Sequence, residues 1–573
     1  MFFTLAVSAG SPERCAALAE RAALADPALM PVAGPVVTAW RSPDGCAALL
    51  RWGHPGAGRT VAEPGGGAAG AETAASRAGT IWAQPTRAGA GGAAGGKATV
   101  RARTSVTRID PVYLAEVPGA VLLADRATWA AWTAGRLDDH DPRHLCALLN
   151  PGFPLGSATP FAGVSALAPR TELHLVNGRS AVQPGRGAVP EAGPAGTQGG
   201  PAGTLAGAKD VAAALIAAVA PLRGAGRPVE LSLTGGKDSR IIAAALVAAG
   251  VPVAGRTHGF ADHPDVTVAA EVARRLGIEH QVRTPAAPGQ QVDVLGRIRA
   301  TVLVADGMLS AFENVGRPGP AASAPGTPMP LTAGGHGGEL LRGGYAETAG
   351  RVSGRGGLRG ALSPARRAAR SAELLRRLTT RHLGLVRPGP AAGYLASLAP
   401  WTAALARRPL PTLDNFYLVN RAGRWSAAAR QAYLLREQLV QPLFEDRVVL
   451  AARAVPLADR VSGALSAAVL AELSPALADV PLAGKAVPAA GTPAPFDWRR
   501  QYGTGIASFL RGYILDTGAD GGLFDVVSRP AAERLLAGPQ PDRGPVWALA
   551  TLACLVSGDY RRARESTPRL PVG

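Results

Sequence analysis

The sequence predicts an α/β protein in two parts: an antiparallel, sandwich-like first half, and a parallel-sheet second half that runs on into a helical C-terminal region. Three observations predict it. Up to residue 181, short apolar runs alternate with turn residues. A Gly-, Pro- and Ala-rich segment, 182–207, then interrupts the chain. Beyond it, β runs and helical stretches alternate at the spacing of crossover connections, from residue 208 towards the end at 573.

The strand candidates of the first half are Phe2–Val7, Val36–Trp40, Ala47–Trp52, Val112–Leu114, Ala120–Leu123 and Glu172–Val176, with a helix at Ala127–Arg136. Pro55–Gly96 and Val182–Gly207 read as loop, since neither has enough periodic apolar residues to pack. The second serves as an interdomain linker. A helix at Ala208–Leu222 then leads to a β run, Val229–Leu233, a Gly-rich turn and a helix, Ser239–Ala249. A second β run, Val253–Gly259, precedes a helix at Asp265–Leu276, and from about Pro364 the chain reads as helical.

Composition narrows the function classes. Hydrophobic residues at 47% and charged residues at 18% belong to a globular chain rather than a disordered one. No uninterrupted apolar run approaches the roughly 20 residues of a membrane span, and the N-terminus lacks a basic, then apolar, signal pattern. The net charge of +18 invites a nucleic-acid partner. However, only four of the 60 basic residues are lysine, and the arginines are spread along the chain, which fits a coding bias better than a basic stripe. The run between Arg351 and Arg381 reads as a solvated helix face. Cys15, Cys46, Cys146 and Cys554 have no paired or metal-like spacing and suit a reducing cytoplasm. The expectation is therefore a cytoplasmic protein with neither membrane nor nucleic acid as partner.

Chemistry concentrates in Leu231-Ser232-Leu233-Thr234-Gly235-Gly236-Lys237-Asp238-Ser239, where a strand ends and a helix begins. Paired glycines let the backbone approach an anion. The helix that follows aims unpaired N–H groups and the positive end of its dipole at that anion. Thr234 and Ser239 add hydroxyls, Lys237 a charge within reach of phosphate, and Asp238 a carboxylate suited to Mg²⁺. The spacing is neither that of a Walker A loop nor that of a dinucleotide fingerprint.

Thr234–Ser239 resembles the S-G-G-x-D-S loop of the ATP pyrophosphatases, with Thr for the first Ser. Three later segments, in the same order, resemble asparagine synthetases: His263-Pro264-Asp265 through His280, Leu331–Tyr345, and Pro442-Leu443-Phe444-Glu445-Asp446-Arg447-Val448-Val449. The resemblance implies an ATP pyrophosphatase second domain (208–573) behind a degenerate glutaminase-like first domain (1–181). It places ATP against Leu231, Ser232, Leu233, Thr234, Gly235, Gly236, Asp238 and Ser239, with Gly259 and Gly335 alongside, and magnesium between Asp238 and Glu339. Glu339 stands where the family has Asp, and His336 where it has Glu.

Glutaminase chemistry in that family needs a mature N-terminal Cys, and position 2 here is Phe, so the resemblance implies a nitrogen source other than glutamine. β-Lactam synthetases and lasso peptide cyclases both meet that condition. The second is the closer likeness, through Gly152-Phe153-Pro154-Leu155-Gly156, Thr159–Val164, Asp306-Gly307-Met308, the His336–Gly344 variant, Tyr417 with Arg421, Arg424 and Trp425, and Leu477–Leu482. It implies a leader-cleaved core peptide as substrate, with a leader peptidase and a leader-binding protein as partners. Lys485 is then the candidate catalytic cation, beside Glu339 and Lys237. A divergent or ammonia-dependent asparagine synthetase, a β-lactam-type ligase, and a non-catalytic nucleotide- or RNA-binding scaffold are the alternatives.

Overall fold

The computed structural model of the chain describes residues 2–24, 29, 36–42, 44–53, 80–85, 98–184, 201–284, 291–313, 315, 329–350, 364–483, 498–538 and 543–571. The first half comprises β1 (Phe2–Ala9), α1 (Pro12–Ala23), β2 (Val36–Arg41), β3 (Ala47–Gly53), β4 (Thr80–Pro85), β5 (Ala98–Arg103), β6 (Tyr113–Val117), β7 (Ala120–Ala124), α2 (Ala127–Ala134), α3 (Pro142–Leu149), β8 (Val164–Ala166), β9 (Thr171–Val176) and β10 (Arg179–Pro184). Its strands form two antiparallel sheets, ordered β2-β3-β1-β7-β6-β8 and β10-β9-β5-β4. Alternation along the strands explains the layering. Ala6, Leu49, Val100, Leu123, Leu173 and Leu175 fill the space between the sheets. Leu5, Val7, Leu50 and Trp52 face the opposite way, onto Cys15 and Leu18 of α1 and Trp129 of α2. Trp52 and Trp129 stack with ring centroids 5.2 Å apart. The start of α1 is fixed locally: Ser11 Oγ accepts from the Arg14 amide, and Pro12 occupies the first turn.

The second half begins with α4 (Pro201–Val219), β11 (Val229–Ser232), α5 (Lys237–Ala248), β12 (Val253–His258), α6 (Pro264–Leu276) and β13 (Glu279–Arg283). After β14 (Gln291–Val292) come β15 (Leu331–Ala333) and β16 (Gln438–Val440). The parallel sheet runs β13-β12-β11-β15-β16. Strands β11 to β13 extend one way from β11, and β15 then pairs on its other side. The gap between the ends of β11 and β15 is therefore the topological switch point, where open α/β sheets bind ligands. The chain from residue 364 onward is mostly helical, as expected.

The structure departs from the sequence reading in three places. Thr80–Pro85, inside the stretch read as loop, forms β4 against β5 and buries Ile81. A short β-favouring Thr-Ile-Trp run suffices once a partner strand supplies the hydrogen bonds. The low-complexity segment 182–207 is structured at both ends, β10 reaching Pro184 and α4 starting at Pro201. The helical stretch Gly203–Ala225 is long and apolar enough to cross a membrane by length and composition. Here it buries Ala208, Val211, Leu215 and Val219 in the core beneath the parallel sheet.

The arginine excess also finds its place. Arg108, Arg240, Arg424, Arg453 and Arg460 are almost wholly buried, donating to carbonyls or to Asp414. On helix Pro364–Thr380, Arg376 and Arg377 are exposed and pair with Glu373, as a solvated face requires. Arg351, Arg355 and Arg359 lie outside the described residues. Asp306-Gly307-Met308 joins the two halves: the buried Asp306 carboxylate accepts from Arg126 Nε (2.9 Å), the Ala127 amide (3.0 Å) and Thr128 Oγ1 (2.7 Å). His144 Nε2 donates to the Gly307 carbonyl at 2.9 Å.

Candidate active site

The turn at 234–239 closes on itself before it faces anything else. The Thr234 amide donates to Ser239 Oγ (3.0 Å), the Gly236 amide to Thr234 Oγ1 (3.2 Å), and the Gly235 amide to Asp265 Oδ1 (2.8 Å) on α6. The anion-facing donors are thus fewer than the sequence implied. Among the described residues, only the first amides of α5, at Lys237, Asp238 and Ser239, lack a partner within this loop, and they carry the positive end of the helix dipole. Arg240, the next residue, is buried and donates to the carbonyls of Gly235, Val480 and Pro481. The Ala483 amide donates to the Gly235 carbonyl at 3.1 Å. Arg240 and Ala483 therefore hold the C-terminal segment 480–483 down on the loop.

The segment after β15 crosses the switch point and settles against the same turn. A β-carbon on Gly335 would lie 2.5 Å from the Ser239 amide nitrogen and 2.8 Å from the Asp238 carbonyl carbon. A β-carbon on Gly338 would overlap the Asp238 carboxylate. At Gly335 the contacts are all backbone, so only glycine there lets the two loops come this close, whereas a side chain at 338 would displace the Asp238 carboxylate. Glu339 follows directly and accepts from the Tyr417 hydroxyl at 2.9 Å. The Arg342 guanidinium forks onto Asp238, and its Nε reaches Glu347 at 3.1 Å. Arg460 donates to the Leu340 carbonyl and to Asp414, anchoring the Glu339 turn from behind.

Burial raises the Asp238 carboxyl above the usual carboxylate range, against the lowering by Arg342 and with a further push from Glu339. The Arg342 contact opposes that rise. Burial, reinforced by Glu339, drives the Tyr417 hydroxyl well above its ordinary value, so it stays protonated and donates. No group of three or more His, Cys, Asp or Glu side chains gathers as a metal cage among the described residues. Asp238 and Glu339 lie within electrostatic reach of each other and are of the type that holds Mg²⁺ together with nucleotide phosphates, with Arg342 paired to both Asp238 oxygens and Tyr417 to Glu339 in this structure.

The predicted residues separate into three groups. Asp238, Ser239, Gly335 and Glu339 come together at the switch point, with Thr234, Gly235 and Gly236 shaping the turn. Leu231 and Leu233 are core residues with no exposure, so only their backbone borders the site, whereas Ser232 is exposed. Gly259 follows β12 with its amide donated to the Arg283 carbonyl, and Lys237 Nζ lies beside Gly463 rather than over the glycine pair. Lys485 lies outside the described residues, two positions past the pinned Ala483. His336 is exposed in the crevice, and Tyr345 packs edge-on against Tyr417 at 5.2 Å. Sequence reading missed Asp265, Arg240, Arg342 and the Tyr417–Glu339 pair as positioning groups. The adjacency of Arg240 to the loop was the one local signal. A surface cleft of about 390 Å³ between residues 384–388 and 524–530 includes none of these groups.

A parallel sheet with a helix N-terminus and two acids at its switch point is the arrangement by which open α/β domains bind anionic ligands. Comparison with known families makes this more specific: the model described as asparagine synthase matches residues 210–382, a span that holds the loop, α6 and the Glu339 turn. That stretch is asparagine synthetase-like, which points to an ATP-dependent amide ligase. No curated protein matches the chain.

Proposed function

We infer that the protein is a lasso peptide macrolactam synthetase, an AMP-forming carbon–nitrogen ligase that joins an Asp or Glu side chain of a core peptide to the peptide's own N-terminal amine. The observation that supports the reading is Asp238 packed against the Gly338–Glu339 turn and within electrostatic reach of Glu339, at the free amides of α5 and inside the asparagine synthase match. The amides of residues 237–239 would receive the pyrophosphate, and Asp238 and Glu339 would hold magnesium, which supplies charge neutralisation on the phosphates. With ATP bound, the substrate carboxylate attacks the α-phosphorus, the bond to pyrophosphate breaks, and the peptide amine then displaces AMP from the acyl carbon. Enclosing the peptide so that amine and acyl carbon meet is worth up to about 7–11 kcal/mol in favourable intramolecular cases.

The cysteines of α1 and α3 are poor candidates for releasing ammonia from glutamine. Cys15 is buried in α1 with its thiol pushed up to about 11, and Cys146 to about 12, so neither is a nucleophile at neutral pH. Leader removal would precede ring closure, which places a leader peptidase and a leader-binding protein upstream as partners.

The test is incubation with ATP, MgCl₂ and pooled synthetic leaderless peptides carrying one internal Asp or Glu. Pyrophosphate, AMP and a peptide lighter by one water are expected. Asparagine formed from aspartate and ammonia, with no dehydrated peptide, would make the protein an asparagine synthetase. Salt-sensitive RNA binding without pyrophosphate release would make it a scaffold.

A further inference from the structure

Residues Tyr417–Ser426 form a ten-residue π-helical stretch, an arrangement that is rare and concentrated at functional sites. The first half of the protein holds it in place. The Gly156 amide donates to Asn420 Oδ1 (2.8 Å), Arg108 donates to the Val419 carbonyl (3.0 Å), and Arg424 donates to the Ala158 carbonyl. Tyr417 reaches Glu339 from this stretch. Four residues on, the Arg421 guanidinium lies 3.5 Å from the centre of the Trp425 ring, with Phe153 at 5.7 Å. Arg108, Arg424, Arg453 and Arg460 are all committed to carbonyls or to Asp414, but among the described residues nothing accepts a hydrogen bond from Arg421.

A guanidinium with one flat face against an indole keeps its in-plane N–H edge, and that edge matches the two oxygens of a carboxylate. Beside it lies a pocket of about 50 Å³ bounded by His336, Trp425, Tyr433, Gln441 and Glu313, room for a small polar group and not for a nucleobase. His336 lies within electrostatic reach of Arg421, Glu339 and Asp238 together, which puts this pocket next to the loop.

The geometry points to Arg421, stacked on Trp425, as the residue that receives the substrate carboxylate to be activated. This rests on the ligase reading. One carboxylate oxygen stays on the Arg421 fork while the other attacks the α-phosphorus, and the electron pair of the broken P–O bond leaves with pyrophosphate. Arg421 thereby selects an acidic side chain over its amide and orients it for attack.

The test is ATP–pyrophosphate exchange driven by the pooled acid peptides, with KM read separately for peptide and for ATP. R421Q is expected to raise the peptide KM by about 10- to 100-fold, the loss of a charged bidentate hydrogen bond, with the ATP KM held within about twofold. R421K keeps the charge without the planar fork and is expected to raise the peptide KM several-fold; it carries the test if R421Q does not fold. An unchanged peptide KM in R421K, or an ATP KM that rises in step with the peptide KM, overturns the assignment. Wild-type protein with no acid-dependent exchange overturns the ligase reading and this assignment with it. Wild-type exchange beside an unaffected variant overturns this assignment alone.

Discussion

Gly335→Ala tests the closure of the two loops with the smallest perturbation. The position has no left-handed backbone, so the substitution adds bulk and no dihedral strain. The new methyl would stand 2.5 Å from the Ser239 nitrogen, 2.8 Å from the Asp238 carbonyl carbon and 2.9 Å from Ser239 Cα, where ordinary contact begins at 3.4 Å. All three are backbone atoms of the first turn of α5, so no side chain can swing aside. The turn, or the β15 loop, has to retreat by about 1 Å. Displacements of that size in a positioned site cost about 100-fold in rate, or about 2.7 kcal/mol in the barrier. Overpacking adds roughly 1–3 kcal/mol of destabilisation. Pyrophosphate release under saturating peptide, with urea unfolding in parallel, gives both numbers. A variant with wild-type kcat/KM and wild-type ATP KM would refute the claim that these two loops together form the nucleotide site.

Other substitutions probe separate parts of the account. Asp238→Asn removes a charged oxygen from the crevice and is expected to lower exchange by about 100- to 1000-fold. Because burial already disfavours the Asp238 charge and Arg342 keeps Glu347, folding stability should change little; near-normal exchange would contradict the role. His144 is buried, and desolvation pushes its pKa from 6.5 down to about 4, so between those values the unfolded chain binds a proton that the native one does not. Stability therefore rises with pH across that window and is lost as pH falls, by roughly 3 kcal/mol from this group. Urea midpoints of H144Q should flatten relative to wild type over the same range, and parallel curves would count against this. Gly393 is exposed inside helix Pro388–Arg407 with open space around its α-carbon. Gly393→Ala is expected to stabilise by about 0.5–1 kcal/mol in thermal unfolding with exchange unchanged.

What the sequence disclosed was local. A Gly-Gly turn at the junction of a β run and a helix is a short-range pattern, so Thr234–Ser239 and its place in the sheet were legible, as were the alternating strands of the sandwich. The groups that hold the loop are not local. Asp265 lies 30 residues from Gly235, Arg342 lies 104 from Asp238, and Tyr417 lies 78 from Glu339. The pairing of β12 beside β11 brings Asp265 to the loop, and the crossing of β15 beside β11 brings Arg342 and Glu339 there; no window of sequence contains either pairing. The arginine excess was read as a coding bias rather than a basic stripe, and its structural use was not legible: Arg240 and Arg460 donate to carbonyls inside the fold. Strand β4 was hidden by its Gly- and Ala-rich surroundings, since its partner strand supplies what composition lacks.

The central claim is that the substrate carboxylate attacks ATP at the α-phosphorus. Peptides whose Asp or Glu side chain carries heavy oxygen, turned over by the enzyme with ATP, test it most directly by mass spectrometry of the nucleotide product. The account predicts one heavy oxygen transferred to AMP and pyrophosphate of natural mass. Label appearing in inorganic phosphate beside ADP, or AMP formed without label, would contradict it.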